Sequence, residues 1–160
     1  MSRDRAIEVT EEYLKNYKQI KAHIEILENE KKTLSELLAT LPAIEYNSVR
    51  VQSSNLNNPT ERNAISLIEK SLYINSDLKN SKNAILKIDK AMSSLNDIQR
   101  KVVELSLIEN IDWINISQEL EYSERQLRRI RNGAVYKIAI ALFGATLFHE
   151  DVRKMSDIRE

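Results

Sequence analysis

Between Glu121 and Ile140 the chain gathers Arg125, Arg128, Arg129, Arg131 and Lys137 against only Glu121 and Glu124, in a protein whose formal net charge is zero. Basic charge is therefore local rather than spread as a uniform coat. An arginine presents a planar fork of donors that fits phosphate oxygens or the O6 and N7 acceptors of guanine, and a glutamine amide fits adenine in the same bidentate way. Arg125, Gln126 and Arg129 are the leading candidates to touch base edges, with Glu124 beside them in the first two turns of the segment. Arg128, Arg131, Asn132 and Lys137 suit phosphates, which set register and affinity without carrying sequence information. Ser123 stands just ahead as a helix cap, and the backbone amides behind it suit one more phosphate. The polymer that offers both kinds of group is double-stranded DNA. Four arginines in seven positions also occur as a plain solvated helix face; their place directly after a turn and a cap favours the DNA reading.

The elements that must position these side chains are legible upstream. Asn96 and Asp97 cap a helix with apolar Val102, Val103, Leu105, Leu107 and Ile108; Asn110 to Asp112 break it; Trp113 to Leu120 form the next helix. Glu121 and Tyr122 make the turn, Ser123 caps a third helix, and Gly144 ends or interrupts it after the apolar run from Ile138 to Phe143. Ile116, Leu120 and Leu127 are spaced to pack the last two helices against the Ile98 to Ile108 face, which would fix the angle at which the third protrudes. Trp113 fits a core anchor better than a base-stacking platform.

The stretch Leu95 to Val135 resembles region 4 of sigma-70-type factors and related helix-turn-helix regulators. There, a helix of the form L-P-x-x-x-R-x-V precedes Y-x-E-I-A-x-x-L-x-x-S-x-x-T-V. Leu95, Arg100, Val102, Trp113, Ile116, Leu120, Ser123 and Leu127 fall at corresponding places, with Ser117 where that pattern has alanine and Gln126 where it has threonine. The layout of a long helical segment, a polar loop and this ending also resembles phage-encoded regulators of the RinA and ArpU type. That resemblance implies control of late, packaging or lysis genes in prophages.

The remainder reads as support. Apolar residues at Tyr13, Tyr17, Ile20, Ile24, Leu27, Leu34 and Leu38, with Lys31 interrupting, form a narrow seven-residue seam on one long helix that needs a partner. Pro42 ends it, Ala43 to Asn58 reads as a connecting loop including Arg50, and Asn58 before Pro59 starts a second long helix. Its apolar positions Ile65, Ile68 and Leu72 shift phase before Leu78, Ile85, Ile88, Met92 and Leu95, with Ser81 inside the seam. The expected fold is all-α: a long antiparallel helical hairpin (a coiled coil) over 1–94, a sigma-region-4-like helix-turn-helix domain over 95–144, and a C-terminal tail over 145–160. Surplus apolar surface on the long helices implies a homodimer.

With no cysteine, disulfides, thiolate metal sites and cysteine nucleophiles are excluded. The opening MSRDRAIEVTEEYL has no apolar core of a signal or anchor, so the expected location is the cytoplasm, with no membrane partner. His23 and His149 are far apart and lack ligand-spaced carboxylates, and Glu28, Glu30, Lys31 and Lys32 read as a solvated face. No phosphate-binding loop or convergent catalytic set emerges, so neither enzymatic activity nor a cofactor is expected. The leading expectation is a sequence-specific transcription regulator. The alternatives are a sigma-like module that docks on RNA polymerase and a packaging or terminase-type assembly component.

Overall fold

The computed structural model describes residues 1–40 and 59–148, with side chains in the second stretch from residue 63 onward. All regular structure among the described residues is helical, as expected of a chain with two glycines and two prolines. The helices are α1 (Arg3–Lys15), α2 (Tyr17–Thr40), α3 (Pro59–Ser93), α4 (Asp97–Val103), α5 (Trp113–Leu120) and α6 (Glu124–Phe143); a π-helical turn (Glu104–Ile108) extends α4 and a 3-10 turn (Ala145–Phe148) follows α6. No helix among the described residues is long and apolar enough to cross a membrane. The expected loop over 43–58, with the Asn58 cap and Arg50, lies outside the described residues, as does the tail from His149 onward.

The chain divides into two compact units: Met1–Lys21 together with the chain from Asn83 onward, and Ala22–Lys82. This partition differs from a boundary at residue 94, because the first twenty-one residues and the end of α3 belong with the C-terminal helices. The cause is visible in α1, which starts well before Tyr13, capped by Ser2 whose side chain accepts from the Arg5 amide. Its buried stripe is Ala6, Thr10 and Leu14, each fully buried; Tyr13, expected in the seam, is exposed. The single long helix is interrupted at Asn16, whose backbone angles (φ −91°, ψ 5°) depart from helical values although its amide still donates to Glu12 O at 3.0 Å and its carbonyl accepts from the Ile20 amide at 2.9 Å, before α2 resumes at Tyr17.

In the first unit α6 is the central rod, held at three levels. Leu127 packs with Val102, Leu105 and Ile116. Ala134, Val135 and Ile138 pack with Leu14, Ile88, Ala91, Met92, Leu95, Val103 and Leu107. Ala139 packs with Ala6 and Phe148. A fully buried Leu, Ile or Val contributes about 1.5–3 kcal/mol, so these levels fix α6 firmly. The α4 segment serves two clusters at once, Val102 and Leu105 facing one and Val103 and Leu107 the other. Its ladder widens where the Ser106 hydroxyl donates to Val102 O at 2.6 Å, and the Glu109 amide reaches back five residues to Glu104 O at 2.8 Å.

Gly144 ends α6 at φ 87°, a conformation that favours glycine. The chain then turns Phe148 back into the core, edge-on to the Tyr136 ring at 5.0 Å. Residues 145–148, expected to begin a frayed tail, are therefore part of the packed unit. Tyr17 fills its place as expected and also donates its hydroxyl to Asp89 Oδ1 at 2.7 Å. Burial, and then the Asp89 carboxylate, pushes its phenol up to about 12.

The second unit pairs parts of α2 and α3 over Leu27, Leu34, Ile74 and Leu78, flanked by Ile24, Leu38 and Leu67. His23 Nε2 meets Asp77 Oδ2 at 3.0 Å, and Lys82 pairs with Glu28 at 2.6 Å. Lys31, the interruption in the seam, is exposed. The phase shift in α3 now has a physical meaning. Ile74 and Leu78 face α2, whereas Ile65, Ile68 and Leu72 form a separate stripe in which every side chain is half exposed or more.

Candidate nucleic-acid interface

The α5–turn–α6 corner is defined by local chemistry at each end. Asp112 caps α5, its side chain accepting from the Asn115 amide at 3.4 Å. Glu121 adopts the left-handed conformation (φ 58°, ψ 32°) that ends α5, and Ser123 then caps α6. Fully buried Ile116 on α5 and Leu127 on α6 share one cluster with Leu105 of the π-helical turn, so the corner is clamped from beneath. Lys101 on α4 adds an ion pair to Glu119 on α5 at 3.3 Å, worth little on an exposed surface.

This frame turns one face of α6 outward. Arg125, Gln126, Arg128, Arg129, Asn132 and Lys137 are all exposed, while Glu124 is half buried. Arg125 and Arg129, one turn apart, make no hydrogen bond or ion pair to any described residue, so two guanidinium groups stand on the open face of a rigid helix with their donors unused. Such groups need acceptors, and water supplies them only until a better-placed anion or base edge arrives.

The other expected contacts divide. Arg128 lies with its guanidinium carbon 4.9 Å from the Trp113 ring centroid and its Nη2 3.4 Å from Glu124 Oε2. Trp113 is thus both a flank of the core cluster and a platform that holds Arg128 at the corner. Lys137 donates to Gln99 Oε1 on α4 at 3.1 Å and keeps an exposed ammonium. Asn132 is exposed on the same face.

Three further side chains, Ser123, Gln126 and Arg131, are engaged by the protein itself. Gln126 Oε1 accepts from the Ser123 backbone amide at 3.2 Å and from the Ser123 hydroxyl at 2.9 Å, while the Gln126 backbone amide donates back to Ser123 Oγ at 3.3 Å. This reciprocal capping box occupies the acceptor that a bidentate adenine contact requires, and it uses the Ser123 hydroxyl both as donor and as acceptor. Arg131 turns inward to an ion pair with Glu11 of α1, both side chains only 24% exposed, and its Nε is buried without a partner. It joins α1 to α6 instead of facing outward with Arg125 and Arg129. Glu11 also lies 3.9 Å from Lys15 Nζ.

The capping box had a signal in the spacing Ser123-x-x-Gln126. The Glu11–Arg131 pair had none, since its members are 120 residues apart in sequence. Among the described residues no group of three or more His, Cys, Asp or Glu is placed to hold a metal ion. Compared with known proteins, the chain matches no family model, no curated protein and no solved structure.

Proposed function

We propose that the unit built on α6 is a helix-turn-helix that binds double-stranded DNA in a sequence-specific manner, and that the protein is a transcription regulator. The observation that carries this reading is the pair Arg125 and Arg129, exposed and unpaired with any described residue, in the first two turns of a capped helix whose opposite face is buried. That is the presentation a recognition helix needs to place side chains against base edges in a major groove. Arg128 and Lys137 flank them as phosphate contacts, with Asn132 between. The likeness of Leu95 to Val135 to sigma region 4, and of the whole layout to RinA and ArpU regulators, supports the same reading and points to late, packaging or lysis genes.

In this account α2 and α3 form an antiparallel coiled-coil hairpin, supported by the shared cluster of Leu27, Leu34, Ile74 and Leu78. The outer stripe Ile65, Ile68 and Leu72, spaced three and four apart, is a second seam of the kind that pairs helices between chains. A homodimer then carries two α6 helices to successive half-sites. The half-exposed Ile114 on α5 and Tyr122 in the turn favour a second reading, a surface that docks on RNA polymerase.

The test is to recover DNA fragments that the purified protein retains from its own genome, with molar mass measured in solution. The proposal expects fragments sharing a short symmetric sequence, a dimer mass, and affinity that falls with salt. Two phosphate-facing cations per copy (Arg128 and Lys137), four in the dimer, set a log–log slope of about −3.6 at ~0.9 per neutralised phosphate. Retention of no DNA, together with capture of polymerase from a DNA-free preparation, would favour the second reading instead.

A further inference from the structure

Gly133 lies inside α6, eleven residues before its end is reached at Gly144. Neither of the ordinary reasons for a glycine applies there. Among the described glycines only Gly144 has a positive φ, so the backbone at 133 makes no demand that another residue could not meet. A Cβ built at 133 meets nothing within 4 Å, so no neighbouring element requires the space. Yet glycine is the costliest residue after proline in a helix interior. Its remaining common use is to let another molecule come close to the backbone.

The surroundings say which molecule. Positions 125, 129, 133 and 137 follow at steps of four and so share one side of the helix; three of them are Arg125, Arg129 and Lys137, all exposed. The row is cationic except where the side chain is missing, and it runs about 18 Å at 1.5 Å per residue. We infer that Gly133 is the point at which a phosphodiester of the DNA backbone seats directly against α6, between Arg129 on the groove side and Lys137 on the outer side. This rests on the DNA-binding reading and adds to it the line along which the strand crosses the helix. A side chain at 133 would hold the strand off the helix and lengthen the reach of Lys137 to that phosphate.

The experiment compares full-length wild type and Gly133→Ala by fluorescence anisotropy, on a duplex recovered in the genomic selection and on a scrambled duplex, across a salt series. Thermal melting runs in parallel. Gly133→Ala is expected to weaken both duplexes alike, by about tenfold or more, and to make the log–log salt slope of the dimer shallower by about two, as loss of one phosphate contact per copy does. Its melting temperature should rise by a few degrees, because alanine favours the helix and meets open space. Equal affinity of the two proteins overturns the inference while leaving DNA binding intact. So does a loss confined to the selected duplex, which would make 133 a base-reading position, or a fall in melting temperature, which would make the glycine a requirement of the fold. Failure of the wild type to bind any duplex removes the reading beneath it as well.

Discussion

Breaking the link between α1 and α6 should separate the arginine that builds the fold from those that meet DNA. Glu11 and Arg131 each retain about a quarter of their side-chain exposure, so their pair lies between a surface ion pair, worth 0–1 kcal/mol, and a buried one, whose disruption costs 3–5 kcal/mol. A coupling of about 1–2 kcal/mol follows, or roughly 2–8 °C in melting temperature at ~2–4 °C per kcal/mol for a chain of this size. The two single variants are not equivalent. Arg131→Gln leaves Glu11 with Lys15 still nearby at 3.9 Å, whereas Glu11→Gln strands a guanidinium whose Nε already lacks an acceptor. Glu11→Gln should therefore be the more destabilising. A double-mutant cycle of Glu11→Gln and Arg131→Gln by thermal and urea unfolding measures the coupling directly. The same proteins, assayed for DNA binding below their melting transitions, should differ little from wild type. A coupling below about 0.3 kcal/mol, or an Arg131→Gln protein of full stability that loses DNA affinity, would show that Arg131 faces the ligand and that this reasoning is wrong.

Gln126→Ala removes one arm of the capping box and should lower stability by about 0.5–1 kcal/mol while leaving the ranking of duplexes by affinity unchanged; a shift in preferred sequence would restore Gln126 as a base reader. The Tyr17 phenol, raised from 10 to about 12 in the folded protein, favours the native state while it stays protonated. That contribution is complete below pH 10 and disappears as pH climbs through about 12. Urea midpoints of wild type should fall across that window more steeply than those of Tyr17→Phe, and parallel pH profiles would contradict the placement of Tyr17 against Asp89.

How much of this was legible in the sequence follows from the range of the interactions. The boundaries of α4, α5 and α6 are set by residues within a turn of each end: Asn96, Asp112 and Ser123 accept from nearby amides, and Gly144 takes a backbone conformation few residues adopt. Such signals are local and are read correctly. The partner of Arg131 was not legible, because nothing in the pattern of residues 1–21 announces that α1 packs on a helix more than a hundred residues later. Exposed Tyr13 looks apolar enough to extend the α2 seam, while the true stripe uses Ala6 and Thr10, one small and one polar. Thr10 is tolerated there because its hydroxyl donates to Ala6 O at 2.8 Å. The two phases of α3 were visible as a break in periodicity, but periodicity alone does not say that one phase faces α2 and the other faces out. For the candidate site, residue type drew attention to α6 without separating its exposed side chains from its engaged ones, since an arginine or glutamine looks the same in sequence whether its donors and acceptors are free, as at Arg125, or engaged, as at Gln126 and Arg131.

The most direct measurement is binding of wild type and the Arg125→Ala/Arg129→Ala double variant to a genome-selected duplex and its scrambled counterpart at one salt concentration. With each bidentate guanine contact worth about 1–3 kcal/mol of discrimination, the variant should keep its fold and its weak affinity for scrambled DNA yet lose most of its preference for the selected site. A variant that discriminates as well as the wild type would contradict the assignment of α6 as the element that reads sequence.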